Sequence, residues 1–158
     1  MNSELRTLDR IDRQILALLQ KDARMSNKEL AAQVGLAPST CLVRVQRLVE
    51  EGAILGFHAR IDPAAVGVTL QAMVFVQLAS HGGSQIEDFA NFLLGQPEVL
   101  DLYHVGGSQD LLVHVAVKDT DHLRSVVMDR ISARAEVRHI ETSIIFDHHR
   151  SPVRPDYE

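Results

Sequence analysis

Between residues 39 and 47 the chain sets Ser39, Thr40, Val43, Gln46 and Arg47 on the outward side of a predicted helix, with Arg44 on its flank. Hydroxyl and guanidinium groups donate to phosphate oxygens, glutamine matches the edge of adenine, and valine matches the thymine methyl. Together they suit the major groove of double-stranded DNA. Arg44 has a structural alternative, since it can pair with an acid such as Glu51 or Asp9. Asn27 and Lys28, at the start of the preceding predicted helix, are placed to touch phosphate, although a solvated surface explains them equally well. A second constellation is the turn Gly106-Gly107-Ser108-Gln109-Asp110. Its glycines let backbone approach a ligand, Asp110 can meet an ammonium group, and free loop amides can meet a carboxylate, which is the chemistry of a zwitterion. Taken alone, a plain glycine-rich hairpin ending in Asp accounts for the same residues.

Helical periodicity positions the first set. Leu8, Ile11, Ile15, Leu18 and Leu19 form a stripe that predicts a helix ending near Asp22. Ser26-x-x-Glu29 is a capping box for a second helix over 27–34, Gly35 suits its left-handed end, and Pro38 suits the first turn of a third helix reaching about Glu51. Leu30, Val34 and Leu36 form the inner face of the pair, and Ala31 is small where the helices approach. Cys41, Val45 and Leu48 make the inward stripe of the third helix. This is a helix-turn-helix, with its motif at about 27–46.

Alternation over Ile54 to Ile61 predicts a strand, closed by the Asp62-Pro63 turn. Beyond it the expected order is a strand over 70–78, a helix opened by Ser84-x-x-Glu87, strands over 99–105 and 111–117, a helix from Asp119 to about Ser132, and a strand over 137–146. This βαββαβ order is ferredoxin-like, an antiparallel sheet with helices on one face. The fold class is therefore α+β. The expected division is 1–62 for the helix-turn-helix unit, 63–67 for a connector, 68–150 for the ferredoxin-like effector-binding and oligomerisation unit, and 151–158 for a tail.

Charge is divided unevenly along the 158 residues. Residues 1–62 carry nine Lys/Arg against eight Asp/Glu, and 63–158 carry seven against thirteen, so the net charge of −5 resides in the second part. Only the first part can face phosphates, and the DNA reading rests on pattern rather than on charge. A lone cysteine forms no intramolecular disulfide, and no signal peptide or long apolar run stands out, so a soluble cytoplasmic protein without a membrane partner is expected. The eight histidines form no ligand set: His148-His149 is an isolated pair, and His104 and His114 fall on different strands. Neither a nucleophile with an adjacent base nor an acid–base pair of carboxylates emerges, so no catalytic site, metal or cofactor is expected.

The sequence resembles the Lrp/AsnC, or feast/famine, transcription regulators over nearly its whole length. The resemblance lies in Leu8-Asp9-Arg10-Ile11-Asp12, in Gly35-Leu36-Ala37-Pro38-Ser39-Thr40-Cys41, and in Arg44-Val45-Gln46-Arg47-Leu48 through Gly52-Ala53-Ile54. Thr40-Cys41-Leu42 looks like the leucine-responsive branch. The resemblance implies a winged helix-turn-helix that binds promoters, a C-terminal domain that binds an amino acid, and a dimer assembling to a tetramer or octamer. It also places Gly106, Gly107, Ser108, Gln109 and Asp110 on the effector loop and Thr142 on a threonine of the last strand. Ala37 stands where the family often has Ser, Gly106 where it often has Thr, and Ser108-Gln109 where an acidic and an aromatic residue are common. Two other functions share this architecture: an enzyme of the sirohaem-decarboxylase type, and a protein-interaction module with an inactive winged helix.

Overall fold

The computed structural model describes residues 8–80 and 83–149, with the backbone alone at 83 and 84. The tail from Arg150 and any cap by Ser84 lie outside the described residues. The chain divides into two compact units, one extending to Arg60 and the other spanning Ile61–His148.

In the first unit the first two helices begin where a side chain satisfies free backbone donors. Asp9 caps α1 (Arg10–Lys21) in a reciprocal box with Asp12, whose N–H donates to Asp9 Oδ1 at 2.8 Å. Ser26 and Glu29 form the equivalent box at α2 (Asn27–Val34). Gly35 ends α2 with a left-handed φ of 72°, a conformation that glycine adopts without steric cost. Pro38 opens α3 (Pro38–Glu50), where Ala37 contributes no side-chain cap. Ile15, Leu30, Ala31, Val34, Cys41 and Leu48 form the buried core.

The expected strand over 54–61 is absent, and the segment is irregular. A strand requires a neighbour for its ladder, and among the described residues none pairs with this stretch. Leu55 is consequently 93% exposed, and Phe57 and Ile61 are also exposed. Asp62 caps a 3₁₀ turn at Pro63–Val66, accepting from the Ala64 N–H at 3.0 Å.

The second unit has the order β1 (Leu70–Leu78), α4 (Gly83–Leu94), β2 (Val99–His104), β3 (Leu111–Val117), α5 (Thr120–Arg124) and β4 (Val137–Ile145). The predicted last helix changes winding after α5 and runs on as a π-helical segment, Ser125–Ser132. The sheet is antiparallel, in the order β2-β3-β1-β4. Alternation in β1 sends Ala72, Val74, Val76 and Leu78 into a core with Val113, Val115, Phe89, Leu93, Val126 and Ile131. Among the described residues of this unit, helix residues Phe89, Leu93, Val126 and Ile131 lie on that core face. On the other face Met73 stands opposite His114, and Phe75 opposite Leu112 and Glu141.

Candidate nucleic-acid interface and effector loop

In α3 the apolar stripe and the polar stripe face opposite ways. Cys41 and Leu48 are fully buried, and Val45 packs on the same core. Burial in turn pushes the Cys41 thiol pKa up. Ser39, Thr40, Val43 and Gln46 are exposed, Val43 by 63%. An apolar side chain so exposed on a polar helix face offers contact area to a partner without desolvating charge.

Arg44 takes the structural alternative that the sequence reading left open, and Arg47, which that reading set outward, is 43% exposed and also engaged by an acid. Arg44 Nη1 donates to Asp9 Oδ2 at 2.5 Å and to Asp12 Oδ1 at 2.9 Å. Arg47 Nη2 donates to Asp12 Oδ2 at 2.5 Å. The reason is spacing: Asp9 and Asp12 share one face of the first turn of α1, and Arg44 and Arg47 share one face of α3. Asp12 is only 1% exposed, so its charge requires these partners. Removing one partner from a buried pair typically costs about 3–5 kcal/mol. Asp9 is held below the usual carboxylate range, first by the Asp12 backbone N–H and then by Arg44. Arg44 is raised by its bonds to Asp9 and Asp12. The sequence reading left open an Arg44–Asp9 pair but missed Asp12; the matching i, i+3 acids and arginines were the signal that pointed to it.

Asn27 is also engaged: its Nδ2 donates to the Pro38 carbonyl at 2.8 Å, tying α2 to the first turn of α3. Lys28 is exposed.

In the second unit Gly106 to Asp110, the residues read as an effector loop, share one turn between β2 and β3. Gly107 has φ of 136°, which disfavours any side chain, and a Cβ at Gly106 would meet nothing within 4 Å. Asp110 is built into the sheet: Oδ2 accepts from the Leu78 N–H at 2.8 Å, and its own N–H donates to the Val76 carbonyl at 3.0 Å. Gln77 Nε2 donates to the Ser108 carbonyl, and Gln109 Oε1 is buried without a hydrogen-bond partner. The loop is thus pinned to the end of β1. Thr142 stands opposite Val74 on the other side of β1, roughly 13 Å along the strand from Leu78 at about 3.3 Å per residue. One protomer therefore does not bring Thr142 to the loop.

Two polar clusters lay outside the sequence reading. Buried Glu98 accepts from His122 Nε2 at 2.9 Å and from Arg130 Nη1 at 2.9 and 3.1 Å. Burial pushes Glu98 upward, but His122, a backbone bond and Arg130 outweigh it and leave the carboxyl below its ordinary range. On the open sheet face, buried His114 meets Gln71 Oε1 at 2.9 Å and Asp101 Oδ2 at 3.4 Å.

Known proteins match both units. Residues 8–54 match a winged helix-turn-helix DNA-binding family, and residues 71–153 match the Lrp/AsnC ligand binding domain. The HTH-type transcriptional regulator AldR of Mycobacterium tuberculosis is 48% identical over 143 residues, which is 90% of this chain and 80% of AldR. The crystal structure of the M. tuberculosis AldR superposes with a TM-score of 0.82 at 43% identity, covering 94% of this chain and 97% of that one. A transcriptional regulator from Neisseria meningitidis, solved as its L-Met complex, gives a TM-score of 0.85 at 30% identity over the same shares of the two chains. With a DNA-binding unit and a ligand-binding unit joined in this order, the chain belongs to the Lrp/AsnC family of transcription regulators.

Proposed function

We propose that α3 is the recognition helix, reading base edges through Ser39, Thr40, Val43 and Gln46 while Lys28 and neighbouring cations touch phosphate. The observation that carries this is the exposed stripe of α3 set against its buried stripe of Cys41, Val45 and Leu48. Asn27, Arg44 and Arg47 act at the same surface by fixing α3. The unit over 1–62 reads DNA, 63–67 connects, and 68–150 binds effector and assembles the protein, which works in the cytoplasm by binding rather than by catalysis. Membership in a family of regulators supports that division.

The effector is an amino acid held by the loop from Gly106 to Asp110, with Thr142 supplied by another copy. The L-Met complex of the Neisseria regulator supports the ligand class, and the separation of Thr142 from the loop supports a shared site. Selection of duplexes from a random pool, with and without each of the twenty amino acids, tests both readings. A recovered consensus whose affinity shifts about 5- to 150-fold with one amino acid is the expected outcome. Asp110→Asn keeps an acceptor for the Leu78 N–H and removes the charge, so it should retain the consensus and lose the shift. Recovery of no consensus would refute the recognition helix. An undiminished shift in Asp110→Asn would refute only the ammonium contact.

A further inference from the structure

The two arginines on the DNA-reading helix are already occupied by the protein's own acids. Arg44 is shared between the half-exposed Asp9 and the buried Asp12, and Arg47 takes the second oxygen of Asp12. Two guanidinium charges thus face two carboxylate charges, and the four together add nothing to the net charge of the first unit. Removing them from residues 1–62 leaves seven Lys/Arg and six Asp/Glu, the same +1 as before. The exposed side chains beside them on α3, Ser39, Thr40, Val43 and Gln46, are all uncharged.

We propose that Asp9 and Asp12 act as internal stand-ins for DNA phosphate, withholding Arg44 and Arg47 from the nucleic acid so that α3 discriminates sequence through neutral side chains. This deepens the recognition-helix reading and rests on it. Specificity is the ratio of affinities for the right and the wrong sequence, and phosphate attraction raises both alike. Neutralising the arginines internally keeps non-specific attraction low while their bonds hold α3 against α1. Asp12 is then a positioning residue. Asp9 is a specificity-determining one, because its carboxylate is half-exposed and competes with a backbone phosphate for the same Arg44.

Salt dependence separates this from ordinary phosphate binding, because each phosphate neutralised contributes about −0.9 to the slope of log affinity against log salt. Asp9→Asn is the informative change, since asparagine caps a helix as well as aspartate does and the fold is retained. Wild type, Asp9→Asn and Arg47→Gln would be titrated with a duplex selected by the wild type and with a scrambled duplex of equal length. Circular dichroism would confirm helix content. The expected result for Asp9→Asn is a slope steeper by about 0.9, with the scrambled duplex gaining more affinity than the selected one. Arg47→Gln should leave the slope unchanged while weakening the selected duplex. An unchanged slope in Asp9→Asn, or a slope flattened by about 0.9 in Arg47→Gln, would overturn the proposal and return the arginine in question to ordinary phosphate contact. A wild type that selects no duplex would instead overturn the recognition-helix reading beneath it.

Discussion

At the scale of single residues, what the sequence made legible was chemistry local to a few positions, and what it hid was pairing across many. Gly35 and Pro38 announced the turn because each acts on its own backbone. The pairing of Asp12 was harder to read, for its partners Arg44 and Arg47 lie 32 and 35 positions away and only the matched i, i+3 spacing of acids and arginines hints at it. Asp110 was legible as a loop acid, but its bond to the Leu78 N–H depends on strand register, which no local pattern encodes. The two loop glycines looked alike in sequence and differ in structure. Gly107, at φ of 136°, occupies backbone space that an alanine reaches only under strain of roughly 1–3 kcal/mol. Gly106→Ala enters open space at an ordinary φ and should change stability by less than about 0.5 kcal/mol. Denaturant midpoints of the two variants should therefore differ, with Gly107→Ala the weaker. Equal midpoints would mean that the loop relaxes freely and that its shape is not held in readiness for a ligand.

At the scale of elements, the helices were the readable part because their ends are written in capping chemistry. The Ser26–Glu29 box set the start of α2, and the βαββαβ order followed from runs of alternation bounded by turn residues. The strand expected over 54–61 failed for the opposite reason: alternation describes a face, while a strand exists only with a partner. The α2 box also carries a pH signature. The Ser26 hydroxyl, and then its backbone N–H, hold the Glu29 carboxyl below its ordinary value of 4.5. A carboxylate depressed on folding contributes stability that is complete above the unfolded value and disappears as pH falls through the folded one. Glutamine preserves the box geometry without the charge. Glu29→Gln should accordingly melt below wild type at pH 7, and the gap should close as pH drops below 4.5. A gap of constant size down to the acid limit would show that geometry, not charge, carries the contribution of Glu29.

At the scale of the whole molecule, a dimer formed on the open face of the sheet is expected to set how strongly DNA is held. One face of β1 packs into the core with the helices, and the other carries Met73 and Phe75 beside Leu112, Tyr103 and Ile145, none of them in the buried core cluster. A second copy laid on that face buries apolar area at about 25 cal/mol per Å² and, through two-fold symmetry, gives the assembly two recognition helices. The second helix then binds at a high effective concentration set by the first, an advantage worth about 10²–10⁴ in affinity without any new contact to DNA. Phe75→Glu places a charge at the centre of this face, opposite Glu141, and should yield monomers in light scattering while each protomer keeps its fold. Such monomers should lose about 10²–10⁴ in affinity for a duplex with two half-sites. They should bind a single half-site as the wild type does, because α3 is untouched. A Phe75→Glu protein that stays dimeric would move the dimer contact off this face. A monomer that binds the two-half-site duplex at wild-type strength would show that the two recognition helices act independently.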